Sequence, residues 1–158
     1  MSSIAERNQF KAVLVTEPIW KSLKQIYQQR DKNKTVLEMC DRMKGICDEL
    51  LMLYSGRFSA REIAGLKRFV MEDFGPALVW TEAPPAVPYY TSMAMGAIEI
   101  VIEQLEKRSK NQRKIDLFKR LLAQLVIVHR YFDRANDKTE LYDKAAQVVD
   151  KMEKVMAA

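Results

Sequence analysis

Residues 35–56 read TVLEMCDRMKGICDELLMLYSG, and the fold class can be argued from this one stretch. Val36, Met39, Cys40, Met43, Ile46, Cys47, Leu50 and Tyr54 recur every three or four positions, the interval at which α-helical side chains return to one face. Asp41, Arg42, Lys44 and Asp48 fall between them, on the opposite side. Thr35 followed by Glu38 has the spacing of a capping box, in which each side chain accepts from the other's early backbone N–H. Gly56 stands where a left-handed C-terminal cap belongs. The spacing predicts a helix over 35–54, amphipathic and too polar on one face to lie in a membrane.

Working outward, the same signals repeat. Ser3 with Glu6, and Ser59 with Glu62, have capping-box spacing; Thr16 precedes Glu17 and Pro18, and a proline in the first helical turn sacrifices no hydrogen bond. After Ser59 the stripe Ile63, Leu66, Val70, Phe74 runs into Gly75-Pro76, which predicts a helix over 60–74. From Ser92 the stripe is Ala94, Ala97, Ile98, Val101, Ile102, Leu105. From Gln112 it is Phe118, Leu121, Leu122, Leu125, His129, Phe132, and the unbroken run Leu125–Val128 marks that helix as central. A last amphipathic helix is expected over 138–156. Segment 76–90 holds four of the five prolines together with Trp80, Tyr89 and Tyr90, and is expected as one long irregular loop. The expectation is an all-α, single helical domain over 1–158, a bundle of about six to seven helices.

Composition agrees. With 158 residues, 48% hydrophobic and 30% charged, the chain has the make-up of one globular domain with a real core. Only 5 glycines and 5 prolines argue against sandwiches and barrels, which need turn residues every few positions. No apolar run reaches the roughly 20 residues that cross a bilayer, and the N-terminus lacks the basic-then-apolar order of a signal peptide. No membrane association and a cytoplasmic location are expected. Cys40 and Cys47, two helical turns apart, stand about 10 Å from one another along the axis, beyond reach of a mutual disulfide.

Residues that could carry chemistry are few. No glycine-rich phosphate cradle is present, and His129 is the single histidine. His129 shares a face with Phe118, Leu122, Leu125 and Phe132, and Asp133 follows it at i+4. His129, Asp133, Cys40 and Cys47 have ligand chemistry for zinc, but neither Cys-x-x-Cys nor His-Glu-x-x-His spacing occurs, so a core histidine and core thiols are expected and no metal. Glu99, Glu103 and Glu106 line one helical face, without the Glu-x-x-His pairs of a di-iron bundle, and read as a solvated row. Residues 58–66 resemble the first half of a helix-turn-helix, but the turn glycine is misplaced. No catalytic residues and no cofactor are expected.

Two features remain. Residues 107–120 hold Lys107, Arg108, Lys110, Arg113, Lys114, Lys119 and Arg120 against Asp116, a local +6 in a chain of net charge +5. A second cluster over 21–34, Lys21, Lys24, Arg30, Lys32 and Lys34 against Asp31, contributes +4. Segregated basicity of this kind suits an acidic protein surface or the phosphates of nucleic acid. The loop aromatics Trp80, Tyr89 and Tyr90 suit an interface with an unlike partner or a second copy of the chain. The expected function is a non-enzymatic interaction protein: a regulator, inhibitor or accessory subunit that binds a larger macromolecular partner. The alternative is a nucleic-acid-binding module that uses both basic clusters without reading sequence.

Overall fold

A computed structural model describes residues 3–29, 34–74, 87–108 and 111–133. Regular structure among them is entirely α-helical: α1 Ile4–Leu14, α2 Glu17–Gln29, α3 Lys34–Leu53, α4 Ala60–Phe74, α5 Val87–Arg108 and α6 Gln112–Phe132. The helix expected over 138–156, Trp80, and the rest of segment 75–86 lie outside the described residues. The chain divides into two compact units, residues 1–82 and 83–158, and each is described by itself.

In the first unit the helix starts follow local hydrogen bonding. Glu6 N–H donates to Ser3 Oγ at 3.1 Å and Ser3 N–H to Glu6 Oε1 at 3.2 Å, the reciprocal pair of a capping box. Ser59 and Glu62 repeat it at 3.2 and 3.1 Å before α4. One site departs from expectation, and another makes a contact the sequence did not indicate. Helix α3 begins at Lys34, so Thr35 lies within its first turn rather than at its cap. Thr16 does precede α2, but its hydroxyl donates to the Val13 carbonyl at 2.7 Å and meets Cys47 Sγ at 3.1 Å. Gly56 has φ +81°, the left-handed conformation expected after α3 and one that only glycine adopts cheaply.

The α3 stripe faces inward as the spacing requires: Val36, Cys40, Met43 and Leu50 are fully buried. Ile19 and Leu23 of α2, and Phe10, Val13 and Leu14 of α1, complete the core. Each such side chain stabilises the fold by about 1.5–3 kcal/mol relative to leaving it in water. Beyond α3, Phe10, Tyr54 and Phe58 form an aromatic cluster with centroids 4.7 to 6.2 Å apart, and Tyr54 donates its hydroxyl proton to Gln9 Oε1. Arg57 grips Glu6 with two parallel bonds, Nε–Oε2 2.9 Å and Nη2–Oε1 2.8 Å, which ties the turn after α3 to the start of α1. Lys24 of α2 pairs with Asp41 of α3 at 2.9 Å.

The second unit is built on an antiparallel helix pair. Glu106 of α5 meets Lys119 of α6 at 3.4 Å near the connecting turn, and Thr91 at the start of α5 meets His129 near the end of α6 at 2.8 Å. Asn111 caps α6 by accepting from Lys114 N–H at 3.2 Å. Val87, Ala94, Ile98, Val101 and Leu105 of α5 are buried. So are Leu117, Phe118, Leu121, Leu125 and Val128 of α6, whose buried arc is wider than that of α5. Gln124 lies within this arc at 1% exposure, and its amide has no hydrogen-bond partner among the described residues.

Candidate functional site

The α5–α6 pair carries most of the residues singled out in the sequence. Helix α5 starts at Val87, five residues before the expected start at Ser92, so Tyr89 and Tyr90 belong to a helix and not to a loop over 76–90. The reason is Pro88. In the first turn its missing N–H has no intrahelical acceptor to lose, and its fixed φ suits the helix. A proline read as a breaker is here a starter. The two tyrosine rings meet edge to face at 5.1 Å, with Tyr89 64% exposed.

One turn on, Thr91 is buried, its Oγ1 at 3.0 Å from the Val87 carbonyl, 3.1 Å from the Pro88 carbonyl and 2.8 Å from His129 Nδ1. The other ring nitrogen, Nε2, lies 3.2 Å from Asp133 Oδ2. A carboxylate only accepts, so Nε2 carries the proton facing Asp133. His129 is 6% exposed. It therefore joins the two helices internally, and its i+4 partner is the aspartate that the spacing indicated. Cys40 and Cys47 lie in the other unit, both free and buried. No group of three His, Cys, Asp or Glu among the described residues could hold a metal ion.

The connecting turn gathers cations from both helices. Lys107 and Arg108 end α5, and Arg113 and Lys114 open α6. At a helix C-terminus, cations complement the partial negative charge of the unpaired carbonyls; at an N-terminus they oppose the partial positive charge of the free N–H groups. Arg113 and Lys114 therefore stand where helix electrostatics disfavours them, and the first turn of α6 holds no acidic residue. Lys107 pairs with Glu103 at 2.9 Å, Lys119 with Glu106, and Arg120 is half-buried farther along α6. Lys110 falls outside the described residues.

The cluster over 21–34 is differently placed. Lys21 pairs with Glu17 at 2.5 Å and Lys24 with Asp41, while Lys34 is exposed at the start of α3. Lys32 lies outside the described residues. Two of its cations are thus committed to neighbouring carboxylates.

Two depressions lie on the described surface. The first, about 360 Å³ and widely open, lies between Glu99, Glu103, Glu106, Ile102 and Leu122, so the carboxylate row rims a shallow groove. The second, about 220 Å³, lies in the first unit over Leu14, Trp20, Cys47 and Leu51, rimmed by the Glu17–Lys21 and Lys44–Asp48 ion pairs. Burial pushes the Cys47 thiol up to about 12, although the Thr16 hydroxyl and Trp20 indole act in the opposite sense. A thiol so protonated is a packing group and not a nucleophile.

Sequence reading missed the outer face of α5. Tyr89, Met93 and Ile100 are 64%, 44% and 57% exposed, and they share one line of the helix opposite its buried stripe. Their spacing, i, i+4 and i+11, was the available signal. It went unread because a second apolar stripe is visible only once the first has been assigned to the core.

No protein-family model matches the chain, and neither the curated proteins nor the solved structures compared with it give a match. No helix among the described residues is long and apolar enough to cross a membrane.

Proposed function

We propose that the chain is a non-enzymatic interaction protein, a regulator, inhibitor or accessory subunit that works by occupying an acidic surface of a larger protein. The observation that carries this reading is the cationic end of the α5–α6 pair. Lys107 and Arg108 stand in the last turn of α5 and Arg113 and Lys114 in the first turn of α6, where the latter two sit against the helix dipole. Residues placed against their own helix need a reason outside it. Like charges a few ångströms apart in water repel by about 1 kcal/mol per pair, a cost that an acidic partner would reverse. Action in the cytoplasm suits two free, buried thiols.

The second reading is nucleic acid. The capped N-terminus of α6, flanked by Arg113 and Lys114, has the backbone N–H groups and charge that phosphates accept. One variant tests both. Replacing Lys107, Arg108, Arg113 and Lys114 by glutamate alters side chains that are exposed or half-exposed, so circular dichroism should not change. Capture from the source cells should then lose a protein partner with an acidic surface, chiefly through slower association. Retention of every partner by the reversed variant would overturn the first reading. Binding of mixed-sequence duplex DNA or RNA that weakens steeply with salt, and vanishes in the variant, would favour the second.

A further inference from the structure

Trp20 of α2 is 6% exposed, and its indole N–H is buried with no hydrogen-bond partner among the described residues. A donor taken out of water and left unpaired weakens a fold, so its placement requires a reason. Lys21 Nζ stands 5.8 Å from the centroid of the ring, a cation–π contact that holds it in place. The ring borders the depression of about 220 Å³ whose wall includes Leu14, Cys47 and Leu51.

Within that wall the indole lies beside Cys47, on whose thiol it acts. Sulfur accepts only weakly, and the indole does not reach it in hydrogen-bond geometry. The neighbouring protons are already committed. The Thr16 hydroxyl gives its only proton to the Val13 carbonyl at 2.7 Å, so across the 3.1 Å contact Cys47 Sγ donates and Thr16 Oγ1 accepts. A water beside the indole would therefore lack most of the polar partners that hold a buried water in place. An acceptor carried on an apolar body would not need them.

We propose that this depression binds a small uncharged molecule, an apolar ring with one carbonyl-type oxygen, which accepts the Trp20 indole proton. The volume sets the size: about 220 Å³ is less than drug-sized ligands occupy and suits a single ring with a short substituent. The rim sets the charge. Lys21 pairs with Glu17 at 2.5 Å and Lys44 with Asp48 at 2.9 Å, so the mouth is balanced and both cations are already engaged. A charged ligand passing them would lose its hydration without gaining a counter-ion. The site shares no residue with the α5–α6 turn, and it adds small-molecule recognition to the proposed binding of a macromolecule.

Acetophenone supplies the ring and the carbonyl, and isopropylbenzene has the same shape without the oxygen. The chain has two tryptophans, so the indole N–H resonance of Trp20 in the ¹⁵N-labelled full chain is the one that Trp20→Phe removes. Acetophenone should move that resonance downfield and saturate it with a Kd of about 1 mM or below. Isopropylbenzene should bind about tenfold more weakly, the difference that one hydrogen bond makes, and produce no downfield shift. Trp20→Phe keeps a ring but not the donor, and should weaken acetophenone about tenfold while leaving isopropylbenzene unchanged. Leu51→Phe, which fills the depression from a half-buried position, should exclude both with circular dichroism unchanged. A shift that does not saturate by about 10 mM, equal affinity for the two probes, or acetophenone binding that survives Leu51→Phe would overturn the proposal. Charge reversal at the α5–α6 turn is read by partner capture and leaves each of these outcomes unaffected.

Discussion

Cys47 sits against the Thr16 hydroxyl at 3.1 Å, and the Trp20 indole also acts on its thiol. With Cys40, whose thiol burial likewise pushes up to about 12, it makes the fold sensitive to alkali in a defined direction. Between the ordinary thiol value of 9.0 and about 12, an unfolded chain has lost protons that the folded chain still holds. Raising pH through this window therefore favours unfolding, and the stabilisation is fully present only below it. Tyr54, buried and close to Glu6, is shifted in the same direction. Urea midpoints should fall progressively above about pH 9 and recover on return to neutrality, more gently in Cys40→Ala and Cys47→Ala chains. A midpoint flat to about pH 11 would contradict the burial of these thiols.

Helix boundaries show what was legible in the chain and why. Ser3 and Ser59 cap as read because their partners are three residues away, and a local hydrogen bond competes with little else. Thr16 opens α2 as read, but its hydroxyl also meets a cysteine 31 residues distant, a contact that no window of sequence contains. Tyr89 and Tyr90 were assigned to a loop because prolines cluster before them, although Pro88 itself suits a first turn. Glycine has two opposite meanings in these elements. Gly45 lies inside α3, exposed, with nothing within 4 Å of an added Cβ, so Gly45→Ala should stabilise the chain by about 1 kcal/mol. Gly56 has equal room but a φ of +81°, so Gly56→Ala should destabilise it by about 1–2 kcal/mol. Opposite shifts in urea midpoint would confirm that conformation, and not space, separates the two; equal shifts would refute it.

Across the whole chain, net charge and helical periodicity were readable because both are sums over many residues. The candidate surface was readable only in part: the cations at 107–120 were found as a run, but the exposed line of α5 required knowing which face the core had claimed. The α5–α6 pair also has an order built into it. Its contacts near the turn close short loops, as Glu106 to Lys119 does, whereas Thr91 and His129 are 38 residues apart. Loop closure costs more entropy as the loop lengthens, so the pair should zip from the turn and join Thr91 to His129 last. Interactions absent from the transition state slow unfolding without hastening folding. Thr91→Val should accordingly leave the refolding limb of a chevron plot almost unmoved and raise the unfolding limb; a slowed refolding limb would show the bridge forming early. The buried histidine then acts as a latch on an already folded hairpin, setting how long the native state lasts rather than how quickly it is reached.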